Sequence, residues 1–325
     1  MPNRILPVTE QNQIDLEPSA PLDKSGAEAI TASETGPVTG PVTGYASATP
    51  AEHMLIVRDQ RFDRTYNTPR WWHANDPVAT AWYNSVSASL PRGEAFFIDT
   101  LRDFREGLPP RLAREIKAFI NQEINHTREH VAFNRLVADH GYNVESIDQG
   151  IQAMLALAEG RPREFNLAIS IALEHFAAVI GRQLLVYPRY LKGADPVAAD
   201  LWRWHATEEI EHKGLMFDVW SHATRDWSAW KRYKTRALIA ALITRKYFGN
   251  RIRDAIGLLE QDGFSRRKAK WKLYAFLWLT PGMMRRMFFE WAEILMPGFH
   301  PWKRDDRALI RRWDSPYEDA VMPAE

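Results

Sequence analysis

The chain is expected to be all-α. From Pro77 onward it reads as successive helices, strand-like alternation is scarce, and proline or glycine punctuates each stretch. Residues 1 to about 50 precede that region as a low-complexity tail rich in Pro, Thr, Gly, Ser and Ala, with Gly36-Pro-Val-Thr39 repeated as Gly40-Pro-Val-Thr43. Such a segment has too little apolar surface to offset its ordering entropy and is expected to be disordered. The folded part opens near His53, with Met54-Leu-Ile-Val-Arg58 as a short strand or extended lead-in and Thr68-Pro-Arg-Trp-Trp72 as a turn. Helices are expected around 77–89, 92–106, 110–140, 146–159, 163–190 and 195–222. Leu108-Pro-Pro110, Gly141, Gly160-Arg-Pro162 and the stretch from Pro188 to Pro196 separate the last four of these and end the second.

After Trp220 the character changes. Two apolar runs, Ala237–Ile243 and Leu273–Thr280, are each flanked by Lys and Arg, and the second leads through Pro281-Gly282 into Met283–Phe289. The span Arg225–Lys272 holds 14 Lys/Arg against 4 Asp/Glu, so a whole-chain charge of +1 hides a local +10. Three segments follow from this pattern: a tail over 1–50, a helical bundle over 53–222, and a basic, aromatic-rich helical extension over 223–325. The extension either packs on the bundle or lies at an anionic membrane surface. In the second case Ile239, Ile243, Phe276, Trp278 and Phe288 are expected to form an exposed apolar patch.

Composition narrows the function. With 26% charged and 45% hydrophobic residues the 325-residue chain is of ordinary globular make-up, and its near-neutral balance argues against nucleic acid as a partner. Absence of cysteine excludes disulfides, Cys-zinc sites and thiol nucleophiles. The first residues lack the pattern of a secretory signal and no apolar run reaches ~18 residues, so a cytoplasmic protein, peripheral at most to the inner face of the membrane, is expected. Phosphate-cradling, dinucleotide-binding and Gly-x-Ser-x-Gly motifs are missing. His300, between Phe299 and Pro301, is read as structural.

The chemistry lies in two Glu-x-x-His pairs, each with a lone upstream glutamate. Glu94 precedes Glu123-Ile-Asn-His126 by 29 residues, and Glu174 precedes Glu209-Ile-Glu-His212 by 35. Residues i and i+3 share a helix face, so each pair aims a carboxylate and an imidazole at one point. Glu, Glu-x-x-His, Glu and Glu-x-x-His on four helices is the ligand order of carboxylate-bridged di-metal bundles. Glu174 is the only formally charged side chain between Phe165 and Gly181, where the helix is apolar on every side and hence buried. A buried, unpaired carboxylate costs several kcal/mol, which a metal or a buried cation resolves. The expected ligands are Glu94, Glu123, His126, Glu174, Glu209 and His212. His130, His205 and Glu208 lie on or near the same faces, as additional ligands or as donors that orient the glutamates. Oxygen and nitrogen ligands without thiolate suit two iron ions, with manganese or zinc as substitutes.

The runs Pro91-Arg-Gly-Glu-Ala-Phe-Phe97, Asn121-Gln-Glu-Ile-Asn-His126 with His130, and Trp204-His-Ala-Thr-Glu-Glu-Ile-Glu-His-Lys213 resemble a bacterial family named "predicted metal-dependent hydrolase". Val57-Arg58, Arg61-Phe-Asp63, Pro69-Arg-Trp71 and Pro297-Gly-Phe-His-Pro-Trp302 also resemble that family's pattern, so that the likeness spans roughly residues 53–305. The resemblance implies a ferritin-like four-helix bundle with a di-metal centre, extended by C-terminal helices. The ligand pattern itself is closer to that of oxygen-activating enzymes. The leading expectation is therefore a di-iron carboxylate oxygenase or oxidase acting on an apolar small molecule with dioxygen and an electron donor. Hydrolysis by a metal-activated water, as the family name implies, is the alternative. Metal storage or non-catalytic membrane binding is a further one.

Overall fold

The computed structural model describes residues 47–63, 68–104 and 106–314. The tail expected over residues 1 to about 50 lies outside them except at its end, as do residues 315–325 of the extension. That end is not loose: Ser47 Oγ and Thr49 Oγ1 donate to Asp218 Oδ2 at 2.6 and 2.7 Å, and Thr49 is buried. Residues 54–57 run without regular structure, so the lead-in is not a strand.

Eleven α-helices follow among the described residues. They are α1 (Pro77–Ser87), α2 (Leu90–Arg102), α3 (Pro110–Asp139), α4 (Glu145–Leu155), α5 (Arg163–Val186) and α6 (Pro196–His212). The chain continues through α7 (Leu215–Ala223), α8 (Ala229–Gln261), α9 (Arg266–Trp278), α10 (Met283–Ala292) and α11 (Arg307–Asp314). Strand structure among the described residues amounts to isolated bridge positions, one of which pairs His73 with Ala194. The protein is an all-α helical bundle with additional C-terminal helices.

Local chemistry sets the boundaries. Asp76 and Asp195 cap α1 and α6 by accepting from Val78 N and Ala198 N, with a proline at the first helical position of each. Ser228 and Ser265 cap α8 and α9 in the same way. Gly141 and Gly160 stand just beyond helical stretches with φ of +85° and +66°, where a side chain would be strained. One boundary departs from the expected helix over 195–222: it breaks after His212, and α7 starts at Leu215. A Cβ on Gly214 would lie 2.5 Å from Trp302 Cδ1 and 2.9 Å from Thr49 Oγ1. Lys213 turns away to donate to Arg304 O and Asp306 Oδ2 at 2.8 and 2.6 Å. The break is thus set by the C-terminal segment that presses on it.

Helices α2, α3, α5 and α6 surround the centre of the bundle, with α5 packed along α6 and α2 along α3. At 30 residues, α3 is roughly 45 Å long. Two apolar clusters fill the interior. One gathers Trp72, Trp82, Trp202 and Trp204, the other Phe97, Phe119, Phe176 and Trp220. Helix α5 is long and apolar enough to cross a membrane by length and composition, but most of its apolar stretch is buried within the protein. Burial already accounts for its apolarity.

Helices α8, α9 and α10 form a layer against α1 and α5. The apolar patch expected there is corrected in part. Ile239 and Ile243 are buried in the second apolar cluster, on the side of α8 that meets the bundle, and Phe276 is half-buried against the first. Trp278 and Phe288 are exposed.

Candidate metal centre

Each of the four central helices delivers side chains to one buried point. Glu94 comes from α2, Glu123 and His126 from α3, Glu174 from α5, and His205, Glu209 and His212 from α6. All are at most 4% exposed, which for four carboxylates in one place demands a cationic partner. Glu123, His126, Glu209 and His212 can each offer one ligand atom within 4.8 Å of all the others, and so can Glu94, His126 and His205. The two groups share His126. Glu174 joins through His212, whose Nδ1 lies 2.9 Å from Glu174 Oε2. The site lies between the apolar clusters, His126 against Trp204 and His212 against Phe119.

Hydrogen bonding tests whether these residues fit a metal. Glu94 Oε1, both oxygens of Glu123, His126 Nδ1, Glu174 Oε1, Glu209 Oε2 and His212 Nε2 are buried without any hydrogen-bond partner. Native interiors rarely leave such atoms unsatisfied, and here seven belong to one constellation. Opposite atoms of the same side chains are held. Thr127 Oγ1 donates to Glu94 Oε2 at 2.7 Å. His126 Nε2–H donates to Glu208 Oε2 at 2.9 Å, and His212 Nδ1–H to Glu174 Oε2, so each imidazole turns its other ring nitrogen inward.

A relay fixes His205 as well. Asn134 Nδ2 donates to Ser87 O, so its Oδ1 must accept the Ser87 hydroxyl proton at 2.8 Å. Ser87 Oγ then accepts from His130 Nδ1–H at 2.9 Å, and His130 Nε2 accepts from His205 Nδ1–H at 3.0 Å. His205 Nε2 is left as a lone pair 2.8 Å from Glu209 Oε1. Two acceptors so close need a proton or a cation between them. Burial and the neighbouring His126 push the His205 pKa down to about 4, so the ring resists protonation and its Nε2 is suited to a metal ion. His130 has both ring nitrogens engaged in the relay and stands behind His205.

Electrostatics agree. Burial pushes the carboxyls of Glu94 and Glu174 well above the usual range, and that of Glu123 up to about 7. Burial opposes ionisation of Glu209 too, but its imidazole neighbours His212 and His205 outweigh it and hold the carboxyl at about 2. For His126, burial is outweighed by Glu123 and Glu208, which raise its pKa.

The least expected part of the site is Arg58. Fully buried, it donates through Nη1 to Glu208 Oε1 at 3.1 Å and through Nη2 to Glu211 Oε1 at 2.7 Å, while Nε reaches Asp314 Oδ1 at 2.6 Å. Gln122 Nε2 adds a bond to Glu211 Oε2 at 3.0 Å. Glu208 therefore links Arg58 to His126. The Val57-Arg58 run carries no ligand chemistry of its own, so reasoning from spacing gave Arg58 no role. Glu208→Gln should lower metal affinity roughly 10–100-fold by loosening His126. Titration with a competing chelator reads this, and unchanged affinity would mean that His126 is positioned by packing alone. His300 lies apart from the cluster: its Nε2 pairs with Asp218 Oδ1 at 3.1 Å, and its Nδ1 accepts from Trp302 N.

Fold and site together define a helical protein with a buried carboxylate–histidine centre suited to metal. The model of a family described as "predicted metal-dependent hydrolase" matches residues 56–305, and the chain belongs to that family. No curated protein and no solved structure matches the chain. The family corrects the leading functional expectation. Carboxylate and imidazole ligands are compatible with either chemistry, and the expected dioxygen-dependent oxygenase or oxidase gives way to the hydrolase that the family description names.

Proposed function

We propose that the protein is a hydrolase that holds two divalent metal ions among Glu94, Glu123, His126, Glu174, Glu209 and His212, with His205 as a third imidazole ligand. The observation that carries this reading is the convergence of seven buried, unpartnered donor atoms from those first six residues. Four carboxylates bring four negative charges, which two divalent ions would balance. The order of ligands over α2, α3, α5 and α6 is that of ferritin-like carboxylate bundles. Oxygen and nitrogen donors favour iron or manganese and accommodate zinc. Such ions, when bound, polarise a carbonyl or phosphoryl oxygen and acidify water.

Residues of the chain supply the rest. A narrow pocket, open to solvent at its mouth and with about 60 Å³ of internal space, shares Glu94, His205 and Glu209 with the centre. Val86, Leu90, Phe97, Leu173, Ile180 and Leu184 line it, so the substrate class it favours is apolar, such as the acyl part of an ester or amide. Thr127 holds Glu94 Oε2, leaving Oε1 turned to the centre as a ligand atom. Tyr247 closes the pocket from α8, and burial raises its pKa, keeping the phenol a donor.

The test is hydrolysis of p-nitrophenyl esters and phosphate esters by metal-replete protein. Activity should vanish on chelation and return with metal, whereas holoprotein inert toward every ester class would refute the reading. Ala177 also lines the pocket. Ala177→Trp should lower kcat/KM for long acyl esters roughly 10–200-fold, the discrimination a hydrophobic pocket provides, with metal content unchanged. Equal loss on short and long esters would show that the pocket does not hold the acyl chain.

A further inference from the structure

We propose that the outer face of α8, α9 and α10 docks the protein on an anionic membrane surface. Of the 13 large hydrophobic side chains that are exposed among the described residues, ten lie between Trp230 and Met296. Leu238 and Leu242 stand one turn apart on α8, 70% and 47% exposed. Trp271 and Trp278 stand two turns apart on α9 at 69% and 42%, and Phe289 on α10 reaches 78%. A soluble protein scatters such residues singly, and their concentration on three packed, consecutive helices needs a partner.

Charge decides which partner. Exposed positions of these helices carry four Lys/Arg on α8, four on α9 and two on α10, and no Asp or Glu. The carboxylates these helices do carry are half-buried: Asp254 pairs with Arg251, Glu260 with Arg266, and Glu290 with Arg182 and Arg304. Lys234 and Lys270 project beside Trp230 and Tyr274, placing ammonium groups next to aromatic rings. Lipid headgroups satisfy both features at once, since anionic phosphates meet the cations while aromatic and aliphatic side chains enter the acyl boundary. A second copy of the chain would set two such cationic faces against each other. Nucleic acid would use the cations and stack on aromatics, but it leaves Leu238 and Leu242 without a counterpart. The corrected geometry sharpens the assignment: Ile239 and Ile243 face the bundle, so the lipid-facing residues of this helix are their neighbours Leu238 and Leu242.

Flotation of the full-length, metal-loaded protein with vesicles tests the proposal. Vesicles of phosphatidylcholine with phosphatidylglycerol should carry the protein upward at low salt, phosphatidylcholine alone should not, and raised salt should release it. Lys270→Gln should weaken binding about fivefold, the effect of one basic residue near a charged surface. The double variant Leu238→Ser, Phe289→Ser should lose binding at unchanged metal content, which a purely electrostatic attachment would not do. Met54→Ser, exposed elsewhere on the molecule, should bind as the unaltered chain does. Failure to float at low salt overturns the proposal, as does flotation that survives the double variant. A dimer in sedimentation that the double variant dissolves would assign the face to a second copy instead. None of these outcomes depends on hydrolytic activity.

Discussion

Alanine at Glu123 should strip the protein of tightly bound metal and abolish its hydrolytic activity. Both Glu123 oxygens are buried without a hydrogen-bond partner, 3.5 Å from His126 Nδ1 on one side and 3.5 Å from His212 Nε2 on the other. A carboxylate between two imidazoles would help to hold both ions of the proposed pair, so its removal should cost both. Glu174→Ala removes a carboxylate at the edge of the constellation and should cost at least one ion while His126 and Glu123 keep the other. Elemental analysis of protein purified without added metal separates the two variants. Two ions per chain retained after Glu123→Ala would remove Glu123 from the ligand set.

The second large effect concerns stability. Arg58→Ala leaves Glu208 and Glu211 buried without their cation, and breaking a buried pair in this way costs about 3–5 kcal/mol. Urea unfolding should show a loss of that order. Glu211→Gln added to the same chain should recover part of it by removing one unpaired charge. Metal affinity should fall as well, because Glu208 loses the group that holds it against His126. If stability is unaffected, water must reach this network and the buried description of it is wrong.

These two predictions differ in how far the sequence anticipates them. Glu123 and His126 are legible because three residues along a helix bring two side chains to one face, a purely local rule. Glu174 is legible because a lone charge in an apolar helix is anomalous wherever that helix packs. Arg58 is not, since its carboxylates lie 150 and 153 residues away and no spacing connects them. His130 and His205 look alike on their helical faces. Only Ser87 and Asn134, on two other turns of the bundle, decide which imidazole presents a bare nitrogen. Helix ends follow the same division. Those at proline, serine or aspartate caps are local and readable. The break at Gly214 answers to Trp302, far along the chain. In α8 the run Ala237–Ile243 is apolar on both sides, and which side is covered depends on α5.

That break has a consequence for anyone seeking the smallest metal-binding unit. His212 is the last residue of α6, and the chain beyond it is fixed by Trp302 over Gly214 and by Asp306 and Arg304 on Lys213. A chain cut after Ala223 would retain every expected ligand yet leave a buried lysine with no acceptor and a hollow where the indole had been. The last ligand helix would then end in a frayed turn, with His212 on it. Excision of the four-helix portion as a minimal scaffold should therefore yield a poor metal binder, because the far end of the polypeptide acts as the keystone of its centre.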